Sequence, residues 1–268
     1  MAALGELILS GHTSVKHFPY LLKHELRNLA LSPATYTTAV ALLFLLGLFY
    51  LNVLVECSRE AQTVAPAAMF FKSFWIPAWF AIPLLTMRSI AEERRRQTLE
   101  IMITAPVTIT EVVLSKFLAA WLGYCLLWAL SLLFPFIAAW QIDDPVMSKR
   151  LLAPLPLIGG YCFVALSSLL FIAIGILASS VTRTQLVAGM LSFILIFILT
   201  FGAGLNIYQN NLLILPSLKT PWEYLPLLRH WEDFSLGIFD SRTLFLYLSS
   251  TGLILGLTIL ILEAKMNR

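Results

Sequence analysis

Charge is what this sequence most lacks. Only 12% of its 268 residues are Asp, Glu, Lys or Arg, against about 25% in an ordinary soluble domain. With 59% hydrophobic residues and a mean hydropathy of +0.84, the shortage excludes a soluble fold and leaves no room for a separate soluble domain. Cysteine is scarce too: Cys57, Cys125 and Cys162 are the only three, with no CxxC or Cys/His spacing. That excludes a zinc or dithiol centre and leaves them as small buried hydrophobes. No GxxxxGK[ST] stretch is present, so the chain does not cradle nucleotide phosphates itself. A net charge of +3, unevenly spread, is topology information and not a nucleic-acid footprint.

What is present is a series of apolar runs. A membrane-crossing helix needs about 20 mostly apolar residues. Six runs are predicted as spans: 34–55, 66–87, 117–140, 155–179, 186–207 and 243–262. Their interiors lack Asp, Glu, His and Arg, which argues against a proton- or voltage-coupled transporter. Ser131, Ser167, Ser168 and Ser192 lie within them with no histidine at comparable depth, so a serine-based intramembrane hydrolase lacks its base. Hydrogen bonds to backbone or to a facing helix are the reading for these hydroxyls. Lys16, Lys23, Arg27, Arg88, the Arg94–Arg96 run, Lys116, Arg183, Lys265 and Arg268 fall on one side. The bias puts that side, and both termini, in the cytoplasm.

The fold expected is an all-α membrane protein of six transmembrane helices forming a single domain over 1–268. Its 1–33 segment carries Phe18, Leu22, Leu26 and Leu29 on one helical stripe, with Lys16, Lys23 and Arg27 away from it. The pattern suits an amphipathic helix on the membrane surface; a cationic flank that orients the first span is the alternative. Segment 208–242, with Trp222, Tyr224 and Trp231, reads as short helices dipping into the outer leaflet, serving as a structural belt or in substrate exit.

The charged interruption RSIAEERRRQTLEIMITAPVTITEVVLSK, residues 88–116, separates the second and third runs. Helix formers from Ala91 to Thr104 place Glu92, Glu93, Arg94, Arg95 and Arg96 at the headgroup level, with Leu99, Met102 and Ile103 on an apolar face. Pro106 stops that helix. Thr108 and Glu111 then have the spacing of a capping box opening the next one. The expected shape is a cytoplasmic elbow with Ala105, Pro106 and Val107 at its tip, either a docking element or a positive loop that fixes topology. Near the end, Asp240 or Ser241 is a good N-cap for the last span, and Gly237 permits a tight break before it.

The run MRSIAEERRRQTLEIMITAPVTITEVVLSKF resembles the signature EERRxGTLExLLTxPV, followed by a [VI][VL]xxK helix, of type-2 ABC transporter permeases. The run LRHWEDFSLGIFDSRTLFLYLS is similar to the pattern HFxxFxxGxxDxRDxxYFxS of the branch that serves gliding motility and nitrous oxide reductase maturation. His230, Phe234, Gly237, Asp240 and Arg242 hold the matching positions. Gln97 stands where that family usually has Gly, and Thr243 where it has Asp. The resemblance implies a permease subunit of an ATP-driven exporter in the bacterial inner membrane, itself not an enzyme. It implies pairing with a second permease subunit, as homodimer or heterodimer, and docking of a cytoplasmic ATPase that carries the ATP and Mg. The elbow would be the coupling helix: Arg94 to Val107 make the ATPase contacts, and Glu92, Glu93 and Glu100 link it to neighbouring spans or to the bracing N-terminal helix. Membrane lipids and an outer-surface protein complete the expected partners. The competing class is a non-transporting anchor that uses the same ATPase contact to assemble or move an extracytoplasmic complex.

Overall fold

The computed structural model describes residues 18–59, 65–95, 108–208, 227–238 and 240–266. Among them are twelve helices and no strand. They are α1 (Phe18–Leu31), α2 (Pro33–Arg59), α3 (Pro66–Lys72), α4 (Trp75–Thr86), α5 (Ala91–Arg95) and α6 (Ile109–Ser131). After them come α7 (Leu133–Gln141), α8 (Pro145–Leu151), α9 (Pro154–Val181), α10 (Gln185–Tyr208), α11 (Leu227–Ser235) and α12 (Ser241–Met266).

Four helical runs, 33–58, 109–141, 145–181 and 241–265, are long and apolar enough to cross a membrane. Helices α3 and α4, bent by 50° at their junction, make a fifth if they count as one crossing. In α10 the apolar stretch that meets the same composition is the shorter 185–200.

Two expected spans are broken helices, and proline explains both breaks. A proline lacks the N–H that would bond the carbonyl four residues earlier, and its ring crowds that carbonyl. Pro77 acts this way on Ser73, where α3 gives way to α4, and Ser73 O accepts instead from Ile76 N at 3.2 Å. Pro135 does the same to Ser131, the last residue of α6 before α7. Pro33 stops α1, as its position predicts, but it also opens α2, where a first-turn proline costs no hydrogen bond. The helix predicted to continue out of the second span is interrupted by a turn over 87–90 before α5 begins.

The run ending in α9 is far more enclosed than the other three. It packs on α3, α4, α6, α10, α11 and α12. Buried rings fill the space around it: Phe71 stacks on Trp128 with centroids 5.7 Å apart, and Phe74 meets Phe163 edge-on at 5.0 Å. Indole and phenol groups also tie helices across the apolar interior. Trp121 Nε1 donates to Ala165 O at 2.9 Å, Tyr161 Oη to Cys125 O at 3.1 Å, and Trp79 Nε1 to Thr200 Oγ1 at 2.7 Å. Such bonds satisfy polar atoms that lipid cannot.

Candidate functional site

The site is built around Lys116, two turns into α6. That helix starts where the sequence places it: Thr108 Oγ1 accepts from Glu111 N at 3.3 Å, and Glu111 Oε2 accepts from Thr108 N at 3.1 Å, closing the capping box. Val113 and Phe117, both buried, flank the turn that carries Lys116, so its side chain is only 5% exposed. A cation so placed requires compensation. Its Nζ lies 2.8 Å from Glu25 Oε1 and 2.6 Å from Glu93 Oε1. Glu25 belongs to α1 and Glu93 to α5. One ammonium therefore clasps the amphipathic N-terminal helix to both helices bounding the 88–116 stretch, through two short charge-assisted hydrogen bonds. On α1, the stripe residues Phe18, Leu22, Leu26 and Leu29 are half-buried while Lys23 and Arg27 are exposed. Above the clasp is a cleft of about 820 Å³ lined also by His24, Asn28, Arg88 and Glu92.

The incoming side of the stretch is fixed by α9. The turn over 87–90 leaves the N–H groups of Ile90 and Ala91 without helical partners, and both donate to Ser179 Oγ, at 3.1 and 3.0 Å. One turn earlier, α4 crosses α9 so closely that a Cβ on Gly175 would lie 2.3 Å from Thr86 Oγ1. Lys265, near the end of α12, donates to the last carbonyls of α9, Ser180 O and Val181 O, both at 3.1 Å. Helix α1 around Glu25, the ends of α9 and α12 and the bounds of 88–116 thus gather at one end of the bundle.

The sequence-predicted residues divide accordingly. Glu92, Glu93, Thr108 and Glu111 are brought to this end; Arg94 lies in α5, and Arg95 is exposed there. Arg96, Leu99, Glu100, Met102, Ala105, Pro106 and Val107 lie outside the described residues, as do Trp222 and Tyr224. His230, Phe234, Gly237, Asp240 and Arg242 gather elsewhere. Phe234, on α11, is buried against Phe163, and its carbonyl abuts Gly159 so closely that a Cβ there would sit 2.0 Å away. The twenty-one residues of α9 from Gly159 to Ser179 span about 30 Å at helical rise, which is the thickness of the hydrocarbon core. The two clusters therefore lie toward opposite ends of α9.

At that far end α11 closes in a Schellman motif. Gly237, at φ +78°, donates to Phe234 O at 3.0 Å, and Ile238 N donates to Asp233 O at 2.9 Å. Asp240 Oδ1 then accepts from Arg242 N at 2.9 Å and caps α12. His230 packs edge-on to Tyr247 at 5.9 Å. Among the described residues no three His, Cys, Asp or Glu side chains form a metal-binding group.

Sequence reasoning missed Glu25, Ser179 and the partnership of Lys116. A signal existed for two of them. Glu25 interrupts the apolar stripe of α1 between Leu22 and Leu29, and Lys116 interrupts an apolar helix between Val113 and Phe117. Charges on buried faces require opposite charges opposite them.

These features define a multi-pass helical membrane protein with a charged clasp at one surface. A family model described as ABC-2 family transporter protein matches residues 51–224, well over half of the chain. The chain belongs to this family, as a membrane permease subunit of an ABC transporter. Membership implies a partner ABC ATPase, which holds the ATPase activity, and a second permease subunit. Comparison with curated proteins finds no match.

Proposed function

We propose that the chain is the permease subunit of an ATP-driven exporter, and that 88–116 is the element through which a cytoplasmic ATPase moves it. The observation that carries this is the Glu25–Lys116–Glu93 clasp, of which Glu93 and Lys116 lie within the family-matched residues 51–224. A segment that only fixed topology would not need a buried ion-pair network joining three helices at its base. Residues 94–107 contact the ATPase, which holds ATP and Mg. Glu93 and Lys116 transmit displacement to α4 and α6, and α1 lies along the inner membrane face as a brace. Six crossings, by α2, α3–α4, α6–α7, α9, α10 and α12, put both termini in the cytoplasm of a bacterial inner-membrane protein. That placement agrees with the Lys/Arg bias and with α1 and the end of α12 meeting at the clasp end. The motif from His230 to Arg242 favours the gliding-motility and nitrous oxide reductase maturation branch within the family.

The test replaces the tip. Pro106→Glu with Val107→Glu abolishes co-purification of the co-expressed ATPase while membrane insertion is unchanged; retained co-purification refutes the assignment.

One observation supports the anchor reading. The buried hydroxyls of Thr38, Thr86, Ser131, Ser167, Thr251 and Thr258 donate to carbonyls of their own helices. Their protons are thus spent within their own helices rather than offered to a passing substrate. Acceleration of the partner ATPase by a defined substrate decides for export; stable retention of an outer-surface protein without such acceleration decides for the anchor.

A further inference from the structure

We infer that the cleft between α2, α3 and α11 is a binding site for the headgroup of a zwitterionic aminophospholipid, one carrying a phosphate and a primary ammonium. The cleft encloses about 790 Å³ at the end of the bundle opposite the clasp. Asn52 and Glu56 line it from α2, Lys72 and Ser73 from the α3–α4 break, and Trp231 and Glu232 from α11. Glu56, Lys72 and Glu232 form no ion pair among the described residues. Lys72 Nζ instead sits 5.9 Å from the centroid of the Trp231 ring, a cation–π contact that holds the ammonium at the cleft wall. Trp231 is 4% exposed, and its Nε1 is buried with no hydrogen-bond partner.

The charge pattern selects the occupant. One ammonium offers a single anion site, which a phosphodiester fills. Two carboxylates on other walls of the same cleft, Glu56 on α2 and Glu232 on α11, suit a primary ammonium, which gives N–H···O bonds. A quaternary ammonium has no N–H to give. A headgroup with no amine adds a negative charge to a cleft whose described charged side chains, Glu56, Lys72 and Glu232, already sum to −1. Apolar contact continues from the cleft along α2, where Leu48, Leu51 and Val55 are exposed, a surface suited to acyl chains. The cleft is lined by α11, which packs at Gly159 of α9, about 30 Å of helical rise from Ser179 near the clasp; in the proposed membrane placement this is headgroup level on the other surface. The inference rests on the membrane placement in the proposed reading and not on export.

Native mass spectrometry of the full-length permease, purified without its ATPase and given equal phosphatidylethanolamine, phosphatidylcholine and phosphatidylglycerol, reads the site directly. Wild type retains phosphatidylethanolamine about tenfold over phosphatidylglycerol, with phosphatidylcholine between. Glu56→Gln with Glu232→Gln, isosteric changes at exposed positions, brings that preference below about twofold. Equal retention of the three lipids by wild type, or an unchanged preference in the double variant, overturns the site. The export reading fails separately, on an absence of ATPase acceleration in the assembled complex.

Discussion

Replacing Lys116 by Met keeps the length and most of the volume of the side chain while removing its charge. In the wild type a single ammonium, 5% exposed, neutralises part of two carboxylates that are 17% and 23% exposed. Without it, Glu25 and Glu93 face each other as like charges on a largely dry surface. Losing one partner of a buried ion pair costs about 3–5 kcal/mol. The residual water access of both carboxylates places the expected cost at the lower end, about 3 kcal/mol. Glu25→Gln or Glu93→Gln leaves Lys116 with one carboxylate and one amide oxygen, at about 1–2 kcal/mol each. Thermal unfolding of the purified subunit in detergent should rank the variants in that order, and limited proteolysis should show α1 released first in Lys116→Met. The triple variant Glu25→Gln, Glu93→Gln, Lys116→Met should recover most of the loss, because a network replaced whole leaves no buried charge unpaired. A Lys116→Met protein as stable as wild type, or a triple variant worse than the single, would refute the reasoning.

Two further substitutions probe the fixed ends of the bundle. Ser179→Ala removes the acceptor shared by Ile90 and Ala91 and should cost about 1–3 kcal/mol for an orphaned donor, read as hydrogen exchange at 90 and 91 that speeds up while the amides of α4 are unchanged. Gly237→Ala forces a side chain into a left-handed residue at φ +78° against Leu155, with an expected cost of about 1–2 kcal/mol and a lower melting temperature.

The apolar runs announced helices because a membrane interior leaves the backbone few alternatives. Local chemistry was equally readable: Thr108 and Glu111 cap α6, Asp240 caps α12, and Gly237 takes the positive φ that ends α11. The breaks at Ser73 and Leu132 were written in the sequence too, four and three residues ahead of Pro77 and Pro135, but a hydropathy profile averages over them. Partnership was not readable. Lys116 counts equally as a flanking cation or a buried one until α1 and α5 are brought to it, and Ser179 is one more hydroxyl in an apolar helix until the turn over 87–90 presents two free N–H groups. The pairing of Lys72 with Trp231 joins residues distant in sequence and depends on the bend between α3 and α4.

Cross-linking from the elbow tip tests the central claim most directly. With Val107→Cys carrying a short photoreactive maleimide in membranes containing the co-expressed ATPase, the account predicts one permease–ATPase adduct whose yield changes with ATP. The same label at Ser235→Cys, on the opposite surface, should give none. No adduct from position 107, or equal adducts from both positions, would contradict it.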